Sequence, residues 1–163
     1  MDFFHRLNIY GSKEAGTKKE LFIVSDAIDF LSWYKQEKPD KVEEGTRLHN
    51  VGNDTPFILV EGLPDIINNG AFDGLFFKCT AHRAVEGGIM KKYSVWINPD
   101  NITHFQQTIP GSTLFVFRSG AVLAIANDVD NVRKALIEHN KKYRERIKAQ
   151  YVKPREAKQE TGF

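Results

Sequence analysis

For most of its length the chain alternates short apolar runs with polar turns, and only its last fifth carries a long helical period. Residues 3–10 mix Phe, Leu, Ile and Tyr with polar positions, residues 11–19 are turn-like, and 21–24 are apolar, a pattern that predicts two strands joined by a polar loop. From Ser25 the spacing changes. Ala27, Ile28, Phe30, Leu31 and Tyr34 fall at helical intervals behind a Ser-Asp start able to cap a first turn, which predicts a helix over 25–36. Residues 37–56 follow, rich in Lys, Glu, Asp, Gly and Asn, with Val42, Leu48 and Val51 as aliphatic anchors. A loop of that length in a compact domain is functional, partly disordered or hides a short element.

Residues 57–60 form a continuous apolar run bounded by Pro56 and Gly62, as expected of a buried strand, and 63–70 read as one helical turn stopped at Asn69-Gly70. Further strands are expected at 75–79 and 93–97, with Glu86-Gly87-Gly88 as a turn between them. Asn98-Pro99-Asp100 breaks the extended pattern and 102–107 resumes it. Pro110-Gly111 turns the chain into 113–118, and Ser119-Gly120 joins that run to 121–125 as a tight hairpin. After Asn127-Asp128, Val129, Val132, Leu136, His139, Tyr143, Ile147 and Tyr151 recur at steps of three and four, predicting a long helix near 128–152 that ends before Pro154. No internal repeat is visible. The reading is a single α+β domain over 1–153 with a mobile tail over 154–163. Its mainly antiparallel sheet has six to eight short strands, packed by a helix near 25–36 and the long C-terminal helix.

Composition adds little to this and charge adds one feature. The 163 residues are 41% hydrophobic and 27% charged, an ordinary globular balance, and the formal net charge is only +2. Divided along the chain, residues 141–163 hold 8 basic and 3 acidic side chains, whereas the preceding part is mildly acidic. Lys141, Lys142, Arg144, Arg146, Lys148, Lys153 and Arg155 form a compact basic end suited to phosphate contacts, because each cation set beside a phosphate releases a condensed counterion. The competing reading is a solvated helix end whose cations complement the helix dipole. The helix has no Trp or Phe anchor for an anionic membrane, so no membrane partner is expected. A single cysteine excludes an internal disulfide, and with no signal-peptide pattern or membrane-length apolar stretch, a cytoplasmic location is expected.

Candidates for catalysis are few. Cys79 and His82 stand three apart, but Cys79 ends a strand beside Phe76 and Phe77, where a lone thiol behaves as a small hydrophobe. His139 sits on the apolar stripe of the final helix, which points to packing. Glu43-Glu44 lies in a charged loop, and Asp128 with Asp130 caps a helix. Neither carboxylate pair has an apolar setting that would raise a pKa. No phosphate-binding glycine loop, zinc-ligand spacing or serine-nucleophile motif occurs, so no catalytic residue, metal or cofactor is assigned. Phe115, Phe117, Trp96 and Phe105 form either a stacking platform for single-stranded nucleic acid or core.

One resemblance bears on function. Tyr93-Ser94-Val95-Trp96-Ile97-Asn98-Pro99-Asp100-Asn101-Ile102, then Gly111-Ser112-Thr113-Leu114-Phe115-Val116, Ser119-Gly120 and a helix opening at Asp128 resemble the small bacterial FlbD-type motility proteins. The same order is similar to the C-terminal half of LytTR-type DNA-binding domains, with Phe77, His82, Arg83, Asn98, Ile102 and Gly120 at the positions of that pattern. The resemblance implies a bacterial regulatory protein. The combined expectation is a non-enzymatic regulator that binds nucleic acid through the basic helix. The alternative is a protein-interaction module, homodimeric or docking another protein, in which the basic end only solubilises.

Overall fold

In the computed structural model the described residues form one antiparallel sheet of ten strands and two α-helices. The structure describes residues 5–10, 18–50, 55–68, 72, 74–84, 86–88 and 90–160; the side chains of residues 150–160 fall outside that description. The strands are β1 (His5–Tyr10), β2 (Lys18–Ile23), β3 (Ile28–Glu37), β4 (Val42–Asn50), β5 (Phe57–Leu59), β6 (Phe77–Ala84), β7 (Met90–Ile97), β8 (Ile102–Ile109), β9 (Ser112–Phe117) and β10 (Val122–Ile125). The helices are α1 (Leu63–Ile67) and α2 (Val129–Glu160), and 3₁₀ turns cover Ser25–Ala27, Glu86–Gly88 and Pro99–Asn101.

Three sequence expectations are corrected. The sheet has ten strands rather than six to eight. The helix expected over 25–36 is a 3₁₀ turn followed by β3. Phe30 and Leu31 belong to cores on opposite faces of the sheet, and a strand buried on both faces shows no clean alternation, so its apolar run mimics helical spacing. The polar stretch 37–56 hides an element, one of the readings expected for it: β4, in which Thr46 and Leu48 are buried on either side of Arg47. The expected C-terminal helix is present, but it continues through Pro154 to Glu160 instead of ending before the proline. Proline removes one helical hydrogen bond without forcing the chain to stop.

The sheet order is β2-β1-β5-β4-β3-β7-β6-β10-β9-β8. The first five strands stand in an order that the second five repeat, each strand being replaced by the one five places later. The local geometry repeats with it. Thr46 pairs with Leu59, and its hydroxyl donates to the carbonyl of Glu61 at 2.8 Å; Thr113 pairs with Ile125 and donates to the carbonyl of Asn127 at 2.8 Å. Val60 N–H donates to Asn8 and Ala126 N–H to Thr80, each at 2.8 Å. Both modules shift register at the same place, between Ile28 and Phe30 and between Ile102 and His104. Each carries a 3₁₀ turn before its third strand and a helix after its fifth. The repeat is therefore structural, and it escapes the eye in the sequence because equivalent positions keep hydrophobic character rather than identity: Leu48 stands for Phe115, Leu59 for Ile125 and Ile66 for Val132.

An odd number of antiparallel strands per module has a geometric consequence. The strand that opens the second module, β7, runs opposite to β2, which opens the first. Keeping the order while reversing the direction requires a two-fold rotation about an in-plane axis across the strands, and that rotation exchanges the faces of the sheet. The cores obey this. Core one gathers Leu7, Leu31, Leu48 and Leu59 with Leu63 and Ile66 of α1 and Phe72, Leu75 and Phe76 of the linker. Core two gathers Val95, Ile97, Phe115, Phe117 and Ile125 with Val132 and Leu136 of α2. At the junction Phe30 pairs with Ile97 on the core-two face, and Leu31 with Trp96 on the core-one face.

Candidate nucleic-acid interface

The basic end rides on α2, whose phase is set by the apolar stripe. Val132 and Leu136 are buried in core two, His139 and Tyr143 are half-buried, and the opposite side is solvated. At 3.6 residues per turn, Lys134, Lys141 and Lys148 fall along one line of the helix, turned away from the stripe, and Arg144 lies within about 60° of it. All four are exposed, and among the described residues no carboxylate approaches them within ion-pair distance. Glu138 and Glu145 interrupt the same face.

The other basic residues are placed differently. Lys142 pairs with Glu138 at 3.4 Å on the flank of the helix. Arg146 turns toward the body, since a Cβ on Gly74 would lie 2.7 Å from its guanidinium Nη1 and 3.5 Å from the Tyr143 ring. Gly74, at φ +77°, keeps that approach open. Lys153 and Arg155 are in the helical extension, and their side chains lie outside the described residues. Of the seven basic residues singled out in the sequence, Lys141, Arg144 and Lys148 thus share one outward face, while Lys142 and Arg146 do not.

The remaining candidates resolve through strand parity. Cys79 and His82 are both in β6, and residues three apart on a strand point to opposite faces. Cys79 packs against core two, where burial pushes its thiol pKa up to about 12. His82 pairs with Lys92 and Ala124 on the other face, so the two cannot form a thiol–imidazole pair. His139 is packed: its Nε2 lies 3.2 Å from the Leu75 carbonyl and its ring meets Phe77 edge-on at 5.4 Å.

Glu43 accepts from Lys38 at 2.9 Å and from the Tyr34 hydroxyl at 3.2 Å, and the Lys38 bond holds its carboxyl below the usual range. Asp128 does not cap its own helix with its carboxylate, which accepts from Gly111 N–H at 2.7 Å; Asn127 Oδ1 instead takes the Asp128 N–H and the Asn131 amide. Phe115 and Phe117 are buried beneath α2, Phe105 packs on Phe115, and Trp96 packs against core one, so these aromatics are core rather than a stacking platform. Among the described residues no three His, Cys, Asp or Glu side chains gather to hold a metal ion, and no helix is long and apolar enough to cross a membrane.

Two titratable groups that the sequence does not single out are shifted by burial, the buried Asp29 and the half-buried His49. Asp29 is 1% exposed, with Oδ2 accepting from Ser119 and Oδ1 without a partner; burial raises its pKa. His49 stacks on Phe30 at 4.0 Å, and burial, aided by Arg47, lowers its pKa to about 4. The signal for Asp29 was one carboxylate inside the run Ile28-Asp29-Phe30-Leu31, which an amphipathic-helix reading places on a wet face. No family model, no curated protein and no solved structure matches this chain.

Proposed function

We propose that this protein is a non-enzymatic regulator that binds nucleic acid through the outward face of α2, with Lys141, Arg144 and Lys148 as phosphate contacts and Lys134 extending their line. The observation that supports this reading is the alignment of four exposed cations, none engaged by a carboxylate, on one side of a helix about 48 Å long. A backbone contact of this kind reads charge spacing and carries no base specificity of its own. The regulatory and bacterial parts of the proposal rest on the resemblance of residues 93–138, which span β7 to α2, to FlbD-type and LytTR-type proteins. A cytoplasmic location belongs to the same reading.

The test is binding of the full chain to fluorescently labelled mixed-sequence duplex DNA and single-stranded RNA, followed by anisotropy across a salt series. Three to four phosphate contacts give a slope of log affinity on log salt of roughly −3 for duplex DNA. Reversing Lys141, Arg144 and Lys148 to Glu is expected to weaken binding by at least about tenfold and flatten that slope. Undiminished binding by this variant, or no binding at low salt, overturns the proposal.

A further inference from the structure

We propose that the chain assembles end to end with further copies of itself, β8 of one copy pairing with β2 of the next in the register that β3 and β7 already use within the chain. The internal junction joins the third strand of one module to the second strand of the other through Phe30–Ile97, Leu31–Trp96 and Ser32–Val95. The same two strand types are left over at the ends: β8, the counterpart of β3, closes one edge, and β2, the counterpart of β7, closes the other. Among the described residues no strand pairs with either outer edge. Repeating the junction sets His104 opposite Ile23, Phe105 opposite Phe22 and Gln106 opposite Leu21.

Side-chain chemistry fits this partner at β8 and at the Leu21–Ile23 end of β2, the charges of β2 at Lys18, Lys19 and Glu20 lying outside the paired stretch. Phe22 is 58% exposed, on the face of the sheet that carries core two. Its counterpart Trp96 packs across the internal junction against core one of the preceding module. Phe22 has the corresponding place waiting against core two of another copy, next to Phe105, whose ring lies 5.5 Å from Phe115 at the margin of that core. Edge strands that must stay unpaired carry charges or proline. β8 is eight residues long, has neither Lys, Arg, Asp nor Glu, and ends in Ile109 at 64% exposure. Its register shift after Ile102 is no obstacle, because β3 has the same shift and pairs with β7 immediately beyond it, and its second shift, between Gln107 and Ile109, lies outside the paired stretch of residues 104–106.

The contact is heterologous: the surfaces differ, and each copy that joins presents a fresh β8 and a fresh β2. It therefore extends as an open row rather than stopping at a dimer. It is also weaker than the internal junction. There Asn98 Nδ2 donates to Ser25 O and Asn101 Nδ2 to Asp26 O and Ile28 O, whereas Val24 and Ala27 occupy the equivalent turn positions and have no side-chain amide.

Sedimentation velocity and light scattering of the full chain between about 5 and 500 μM test this. The expected result is a mass that rises with concentration from 18.6 kDa past twice that value. Phe22→Glu, at an exposed site that leaves both cores intact, is expected to raise the dissociation constant at least about tenfold while retaining the wild-type circular dichroism spectrum. Register is read by disulfide trapping with a mild oxidant: a mixture of Phe22→Cys and Phe105→Cys chains should cross-link, and neither variant alone should. A monomer at every concentration, association unaffected by Phe22→Glu, or efficient cross-linking of Phe22→Cys chains with themselves overturns the proposal.

Discussion

The Ser119 hydroxyl donates a 2.6 Å hydrogen bond to Oδ2 of Asp29, joining residues 90 positions apart and tying the β9–β10 turn of the second module to the third strand of the first. The same spot is held by Asn98 N–H, which donates to the Asp29 carbonyl at 2.8 Å. Only one oxygen of the buried carboxylate is satisfied, so ionised Asp29 is an expense at the module junction. Its folded pKa is raised, chiefly by burial. The stability linked to this group is fully present below the unfolded pKa and is lost as pH rises through the folded one. Asp29→Asn keeps an acceptor for Ser119 and removes the charge. Its stability relative to wild type should therefore become more favourable between pH 4 and pH 7, measured by urea denaturation, and a pH-independent difference would refute the assignment.

His49 has the opposite linkage. Its pKa is about 4 in the folded protein against 6.5 for a free ring, because burial against Phe30 and the neighbouring Arg47 disfavour the imidazolium. Between those values the unfolded chain binds more protons, so stability falls as pH drops through the window. The wild type is expected to lose about 2 kcal/mol by this route between pH 7 and 4.5, allowing for the partial exposure of the ring. His49→Phe, which retains an aromatic ring against Phe30, should reduce the pH dependence by that amount. An unchanged difference between the two pH values removes His49 as the cause.

Asn101 is the principal lock between the turn at Pro99–Asn101 and the first module. It is 2% exposed and donates both to Asp26 O at 2.7 Å and to Ile28 O at 2.9 Å. Asn101→Ala leaves these carbonyls without their donor, at a cost of about 1–3 kcal/mol. Denaturant unfolding should show that loss as a lower midpoint. A variant as stable as the wild type would mean that the junction is held by strand pairing alone.

How much of this could be read beforehand depended on whether a strand faces one environment or two. In the second module, residues 93–97, 102–107, 113–118 and 121–125 alternate or end in recognisable turns, and strands formed there as expected. β3 is illegible because its two faces serve two cores, and β4 because its buried Thr46 and Leu48 are separated by Arg47, preceded by Glu43-Glu44-Gly45 and followed by His49-Asn50. The repeat is hidden because equivalent positions keep hydrophobic character and not identity, as Leu48 and Phe115 or Leu59 and Ile125 do. The basic run was visible, but its division was not. Helix phase puts Lys141, Arg144 and Lys148 outward, whereas the turn of Arg146 toward Gly74 depends on a contact distant in sequence.

Gly45 illustrates a constraint of the same long-range kind and supports a sharp expectation. It is buried in β4, and a Cβ built on it would overlap the carbonyl oxygen of Leu59 in the neighbouring strand β5, with the Tyr10 ring 3.5 Å away. The obstacle is backbone, which cannot swing aside as a flexible side chain can. Relief would require β5 to move away from β4, in a module where Leu59 is fully buried in core one and pairs with both Thr46 and Ile9. Gly45→Ala is therefore expected to destabilise the protein by about 1–3 kcal/mol, even though alanine suits a strand better than glycine does in general. Hydrogen exchange separates this strain from a global effect: protection should fall first at the β4–β5 and β1–β5 amides, while amides of β9 and β10 in the second module keep theirs. Equal loss across both modules would show that the two cores unfold only together and that the first module does not open on its own.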